Sequence, residues 1–424
     1  MTGQRVPHLH LWVDGEPVDA SVVASLTVED RVDRASTFAF TIASSPVAAA
    51  AAGDAGGDWD TLLRGQPATD LGMPGARLLS RVTIGFSLVP PDASDGGTEL
   101  RVVLDGYATA LEHRYAHARV PDSELVVTGV DASCLMHLQT VTRRWQDRSD
   151  AQVAREIFER YGFGAQVEDT PRRDGTDVSL LQRCTDAEFL RLLARRHGFE
   201  VFVAPTVDEV TPGRHPGTAV TGRFRAAPVG RETLPQADLF PHDAPTIVDM
   251  TARYDAHQPT TVRSWHVDDR RRTVRSVEVT DPGYPRTGER SRADVLQGAL
   301  GEILGDGRAP VAVEVRSADV PSDDDELARF ARADLRGADW FATAEATLAA
   351  GRYPGFVGSG RMLPVTGTGP VFAGDWYVRA ATHRWGAART PLGDPPAVGT
   401  ADGESEMVYE VDVELVRGAL GGEP

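Results

Sequence analysis

"CTDAEFLRLLARRHGFEVFV", Cys184–Val203, reads as a capped helix that stops at a glycine and drops into an apolar strand. Thr185 and Glu188 have capping-box spacing, in which the hydroxyl accepts an N–H three residues on and the carboxylate reaches back. Phe189, Leu190, Leu192, Leu193 and His197 form one apolar stripe, with Ala194 beside them. Gly198 stands where a left-handed residue closes a helix, a conformation that a Cβ opposes. "SDAQVAREIFERYGF", Ser149–Phe163, repeats the arrangement. Ser149 and Gln152 make its box, Val153, Ile157, Phe158 and Tyr161 its stripe, and Gly162 its stop. Each copy predicts a helix packed on a sheet. What the two share is packing chemistry, with no catalytic group in common.

Both flanks read as β. "HLHLWVDGEPV" alternates and turns at Asp14-Gly15, a hairpin signal. "SLTVEDRV", "STFAFTI", "SRVTIGFSLV", "TELRVVLDGYATALEHRYA" and "SELVVTGVDA" continue the pattern. So 1–130 reads as an antiparallel barrel or sandwich, interrupted by an Ala/Gly/Pro-rich insertion at 43–76. The segment 131–245 holds the two helices and then a Pro/Gly/Thr/Arg-rich excursion, 205–245, with weak strands. From 246 to 424 β alternation returns, with a helical insertion at about 291–337. Ser322 is the expected cap of its second helix, the Asp323–Glu326 acids favour the positive helix end, and Gly337 is the expected stop.

Composition excludes several functions. The 424 residues exceed one ordinary core, and 41% hydrophobic with 25% charged residues describes a globular chain. A net charge of -18 opposes a free nucleic-acid binder. The one dense basic run, "DDRRRTVRS" at Asp268–Ser276, reads as a solvated hairpin. All 44 basic residues are arginine, so a lysine phosphate loop and lysine Schiff-base chemistry are excluded in their standard forms. Cys134 and Cys184 form no CxxC and read as free buried thiols. The N-terminus lacks a signal-peptide pattern and no apolar run reaches bilayer length, so cytosolic synthesis without a membrane span is expected.

No constellation carries catalysis. His113 and His117 have metal spacing only on a helix, whereas their strand context separates them by more than about 10 Å. Asp323–Glu326 lacks the alternating donors of a calcium loop. "GFVGSGRM", Gly355–Met362, reads as a turn before a strand, and Ser359 sits outside a GxSxG elbow. His383 reads as a strand residue bonded to backbone, with Trp376 and Trp385 as core or interface aromatics. The sequence therefore nominates no catalytic, cofactor-binding or metal residue and no cofactor.

The order of these motifs resembles the phage late-control D family, the hubs of contractile tails, to which the VgrG spike proteins are similar. Gln182, Asp186, Phe189, Leu190, Leu193, Ala194 and Gly198 fill its "Q…sD.eFL..lA...G" stretch. "LDGYATALEHR" and "LVVTGVDASCLM" resemble its earlier strands. Gly374, Tyr377, Val378, His383, Tyr409 and Arg417 match its closing strands. The resemblance implies a mainly β fold with α+β insertions and two tail-tube-like antiparallel barrel domains. Three chains would close into a pseudo-sixfold ring joining a hexameric tail tube to a trimeric spike. It implies a non-enzymatic structural protein of a contractile phage tail, tailocin or injection particle. Its partners would be itself, the tube protein and a separate spike, since no spike domain follows Arg417, with sheath or wedge components as contacts of the insertions. The alternatives are a tail-associated cell-wall hydrolase and a VgrG-like effector-carrying secretion component.

Overall fold

Asp14 and Gly15 take φ of 51° and 87°, the left-handed pair of a tight hairpin. They join β1 (Val6–Val13) to β2 (Glu16–Val18), as the Asp-Gly signal predicts. The computed structural model describes residues 5–44, 77–89, 100–114, 123–172, 179–209, 215–241, 245–255, 257–268, 272–304, 312–316, 321, 323–387 and 407–421. The insertion at 43–76 is described only at Ala43 and Ser44, which end β4, and His117 lies outside the described residues.

The N-terminal strands are β3 (Val23–Arg31), β4 (Thr37–Ser44), β5 (Arg81–Val89), β6 (Leu100–Arg114) and β7 (Ser123–Asp131). They pair antiparallel in the order β3-β4-β7-β6-β5-β1-β2. His113 lies on β6, so its strand context is as read. Alternate residues point inward: Leu26 and Val28, Phe38 and Phe40, Ile84 and Phe86 are all buried.

The helical module follows: β8 (Thr140–Gln146), α1 (Asp150–Arg160), β9 (Gly164–Val167), β10 (Ser179–Thr185), α2 (Asp186–Arg195), β11 (Glu200–Glu209) and β12 (Gly217–Arg225). Both capping boxes form, at Ser149/Gln152 and Thr185/Glu188. Both helices also close alike. Phe163 N–H reaches Phe158 O at 3.0 Å, and Phe199 N–H reaches Ala194 O at 3.0 Å. Gly162 and Gly198 sit between at φ of 73° and 63°. Val153, Ile157, Phe158, Phe189, Leu190 and Leu193 share one core with Trp145 and Phe224. Leu192 departs from the expected stripe. It is 49% exposed, because residues 189, 190 and 193 already fill the arc that faces the sheet. The 205–245 excursion is also more regular than expected: β12 pairs along β11 and, in parallel, with β9, and Phe224 is fully buried. Its Thr, Gly and Arg residues hide a strand whose apolar anchors are few.

The C-terminal region holds β13 (Ala237–Asp238), β14 (Ile247–Tyr254), β15 (Thr261–Asp268), β16 (Thr273–Val279), β17 (Arg290–Ser291), α3 (Arg292–Leu304), β18 (Ala312–Arg316) and α4 (Asp324–Asp339). Next come β19 (Ala342–Leu348), β20 (Met362–Thr366), α5 (Gly369–Phe372), β21 (Gly374–Ala387), β22 (Met407–Arg417) and β23 (Ala419–Leu420). The basic run spans the turn between β15 and β16, whose described ends lie at Asp268 and Arg272. Ser322 lies outside the described residues. The N-cap of α4 is Asp323, whose carboxylate accepts Glu326 N–H at 2.7 Å. A carboxylate suits that position because it also meets the helix dipole. Gly337 does not stop α4, which runs to Asp339: its φ is ordinary and a Cβ there would meet open space.

One ladder joins the two β regions. β21 pairs antiparallel with β3, from Ala380↔Arg31 to Gly386↔Ser25. The resulting 13-stranded sheet runs β14-β19-β22-β21-β3-β4-β7-β6-β5-β1-β2, with β13 and β20 attached beside β21. The fold is thus mainly β, with a large antiparallel sheet and a few helices.

Gly198 and Gly162 make a paired test. A Cβ at Gly198 would lie 2.9 Å from Arg336 Cδ and 3.2 Å from Ala333 Cα, whereas at Gly162 it meets nothing within 4 Å. Gly162→Ala should cost about 1 kcal/mol, the strain of a left-handed alanine. Gly198→Ala should cost clearly more, because α4 must also shift. Urea denaturation of both variants checks the order.

Candidate functional site

The residues that carried the family resemblance converge on buried polar nodes. Asp186, fully buried at the start of α2, accepts from Gln182 Nε2 at 2.7 Å, Tyr161 Oη at 2.9 Å and Arg160 Nη1 at 2.9 Å. Gln182 in turn accepts from Trp145 Nε1 at 3.0 Å. One carboxylate therefore ties β8, β10, α1 and α2 together. A buried charge survives only with this many donors.

Arg417 makes a second node with no carboxylate in hydrogen-bond contact. Its guanidinium donates to Thr287 O at 2.8 and 3.1 Å, Ala373 O at 2.7 Å and Gly421 O at 2.6 Å. Gly374 is required beside it: φ is 122°, and a Cβ would stand 2.6 Å from Arg417 Nη2. His383 hydrogen-bonds the Tyr409 hydroxyl through Nδ1 at 2.7 Å. That corrects the expected backbone partner, because the neighbouring ladders of β21 already use the main chain. Burial pushes the imidazole down to about 4, so it is neutral near pH 7. Trp376 is fully buried and donates to Phe372 O, while Trp385 is half-buried and packs against the core from its edge.

A third node links the helical module to the C-terminal strands. Glu200, on β11, accepts from the Tyr377 hydroxyl of β21. Burial raises its carboxyl to about 7; Tyr377, Arg225 and Arg379 oppose the shift, and Asp33 adds to it. Arg336 of α4 donates to His197 O at 2.9 Å, at the closed end of α2, and to Pro282 O at 2.7 Å. Between these elements lies a cleft of about 460 Å³, walled by Arg191, Arg195, Glu200, Arg336, Trp340 and Arg379. No serine, threonine, cysteine or histidine lines it. Its acidic residues are Asp33, Glu200 and Asp334.

The remaining histidine pairs are structural in their setting. His10 Nε2 meets Ser87 Oγ at 2.8 Å, but Ser87 is only 3% exposed, so a substrate carbonyl has no path to that oxygen. Cys134 and Cys184 are free, and burial raises both thiols, which makes them poor nucleophiles. Among the described residues, no group of three or more His, Cys, Asp or Glu is placed to hold a metal ion. No described helix is long and apolar enough to cross a membrane.

Three of the exposed large apolar residues, Phe240, Val248 and Tyr254, lie at or beside one edge of the sheet. Among the described residues, as β2 at the other end of the sheet pairs only with β1, β14 pairs only with β19. Its inward residues Met250 and Ala252 are half-buried, and Tyr254 is exposed. Val248, at a bulge in the ladder, is 61% exposed, and Phe240, before this strand, is 79% exposed. Sequence reasoning missed this edge, as it missed Glu200 and Arg336. A lone acid opening the apolar run "EVFV" was the one available signal for Glu200.

These features define a β-sheet scaffold with buried polar ties, a cleft and open strand edges. No protein-family model matches the sequence, and no curated protein matches it either. Solved structures do. The 43 kDa tail protein of prophage MuSo2 from Shewanella oneidensis matches at a TM-score of 0.60 and 12% identity, over 97% of this chain and 99% of that one. The tail protein from Neisseria meningitidis MC58 matches at 0.56 and 12%, over 97% and 96%. A chain of the lidded Francisella PdpA-VgrG complex matches at 0.50 and 8%; all of this chain is covered, which spans about half (54%) of that one. The chain therefore has the fold of phage tail proteins, over the full length of both chains.

Two outcomes test these nodes. Asp186→Ala strands three donors in the module core and should destabilise it by about 3 kcal/mol, read by urea denaturation. Glu200 gives a pH dependence. Its folded value of about 7 lies above the ordinary 4.5, so the native state holds an extra proton between those values. Its contribution is full below about pH 4.5 and is lost as pH rises through about 7. Glu200→Gln should flatten this slope and raise the melting temperature at pH 8 relative to the wild type.

Proposed function

We propose that this chain is the structural hub of a contractile tail or injection particle, joining a hexameric tail tube to a trimeric spike. The observation that carries the reading is the whole-chain likeness to two phage tail proteins. The open edge at β14 supports it. An edge with unpaired backbone groups and half-buried apolar side chains is covered by another chain in a stable assembly. Three copies related by a heterologous contact that closes after three rotations would leave no edge free. Each chain would contribute its two β regions to a pseudo-sixfold ring matched to the tube. The mechanism is binding, without turnover. The chain would be made and assembled in the cytoplasm and leave only within the particle. A VgrG-like secretion component is the second reading, supported by the likeness to the Francisella chain.

Light scattering across a concentration series tests the assembly. A mass near three times the 45.6 kDa chain supports the hub. A strict monomer, unchanged on adding the spike and tube proteins encoded nearby, counts against it. Phe240→Ser with Val248→Asp should lower the assembled mass while leaving the melting temperature nearly unchanged. Substitutions at residues this exposed cost the fold within about 0.5 kcal/mol.

A further inference from the structure

Where the β11–β12 hairpin meets the large sheet, a second and smaller pocket gathers arginines around buried donors. Its volume is about 130 Å³, and its walls include Asp30, Arg101, Arg223, Ser359, Arg361 and His383. That is about four water volumes, well below the roughly 300 Å³ of organic-ligand pockets. It suits one small polyatomic ion.

The charges around it are unbalanced. Both oxygens of Asp30 are already engaged by Ser359, through its N–H at 2.7 Å and its hydroxyl at 2.8 Å. Glu232 is held by both terminal nitrogens of Arg225 and stands 4.0 Å from Arg223. The Arg361 side chain makes no hydrogen bond or ion pair among the described residues, and Glu232 acts on it only at longer range. Arg223 is crowded by Arg225 and Arg361, and its Nε–H is buried without a hydrogen-bond partner among the described residues. His383 Nε2 is buried in the same condition. In the tautomer in which the Tyr409 hydroxyl donates to Nδ1, this Nε2 carries the proton and is a donor. Buried donors without acceptors cost about 1–3 kcal/mol each, and guanidinium groups satisfy that need best with an oxyanion.

We propose that this pocket binds a small oxyanion, a phosphate, sulfate or carboxylate group, held by Arg223 and Arg361 with His383 at its inner wall. The anion would fasten the hairpin of the helical module to β3, β21 and the 356–361 loop. It would thereby fix how the module sits on the sheet.

The full chain is exchanged into a phosphate-free buffer near neutral pH, at ionic strength held constant with sodium chloride. Inorganic phosphate, sulfate and acetate are then titrated separately by calorimetry and by thermal melting. We expect saturable binding at a single site and a saturable rise in melting temperature. Arg361→Gln should weaken binding about tenfold or more. Arg263→Gln, whose side chain is 49% exposed on β15, should bind as the wild type does. A preference for phosphate and sulfate identifies a free tetrahedral ion as the ligand. A preference for acetate identifies a carboxylate, such as a partner's acidic side chain. If Arg361→Gln does not fold, wild-type calorimetry decides: no saturable heat in the millimolar range overturns the site. A rise in melting temperature that is unsaturable, or equal in all three proteins, also overturns it.

Discussion

The antiparallel ladder between β3 and β21 is the constraint on which the rest depends. β3 ends at Arg31 and β21 begins at Gly374, so the pairing closes nearly the whole chain into one loop. Loop closure grows only logarithmically with length, so even this span is thermodynamically affordable. It is slow to find, however, because no local contact announces it. Once formed, it puts Leu26, Val28, Phe40, Phe86, Val378 and Tyr409 into one core. Arg31, almost wholly buried, then reaches Glu414 at 2.7 Å and Asp33 at 2.9 Å, locking the seam from its outer side.

Against this frame the helical module is oriented by polar contacts and by an apolar cluster of Phe202 with Val32, Met362, Tyr377 and Val416. Its own core is separate from that of the sheet. Glu200 to Tyr377, Thr218 to Asp105, Arg225 to Gly360 O and, from α4, Arg336 to His197 O are polar ties that hold the module. Buried polar contacts demand specific geometry, so they select one docking pose, whereas apolar contact alone would tolerate several. Glu200 is raised by burial, as are Asp30 and, to about 6, Asp131 nearby. The seam therefore has a protonation-dependent component, firmer in mild acid than in mild base.

A scaffold of this kind does its work at edges and faces. Among the described residues the sheet is paired through most of its width and open at its two ends, β14 and β2. Closed rings of identical chains satisfy such edges without the risk of open-ended growth.

Much of the local structure was legible in the sequence. The Asp14-Gly15 hairpin, both capping boxes and both glycine stops follow from spacing alone, because each is settled by residues within a few positions of one another. The family-like residues Gln182, Asp186, Gly374, Tyr377, His383 and Arg417 were also visible as a pattern. Their roles were not, since Asp186 looks like any helix-capping acid until Tyr161 and Trp145 are placed around its node. β12 escaped because its pairing with β9 and β11 is carried by backbone, and its Thr and Arg residues show little apolar alternation. Leu192 was misplaced because helical periodicity defines a stripe but not its width; the neighbouring sheet sets that. Sequence by itself thus determined most of the local elements and the helix ends that local caps set at Ser149, Gly162, Thr185 and Gly198. Only the tertiary structure decided that two distant β regions share one sheet, which charges are buried and which edges stay open, because those depend on contacts between residues hundreds of positions apart.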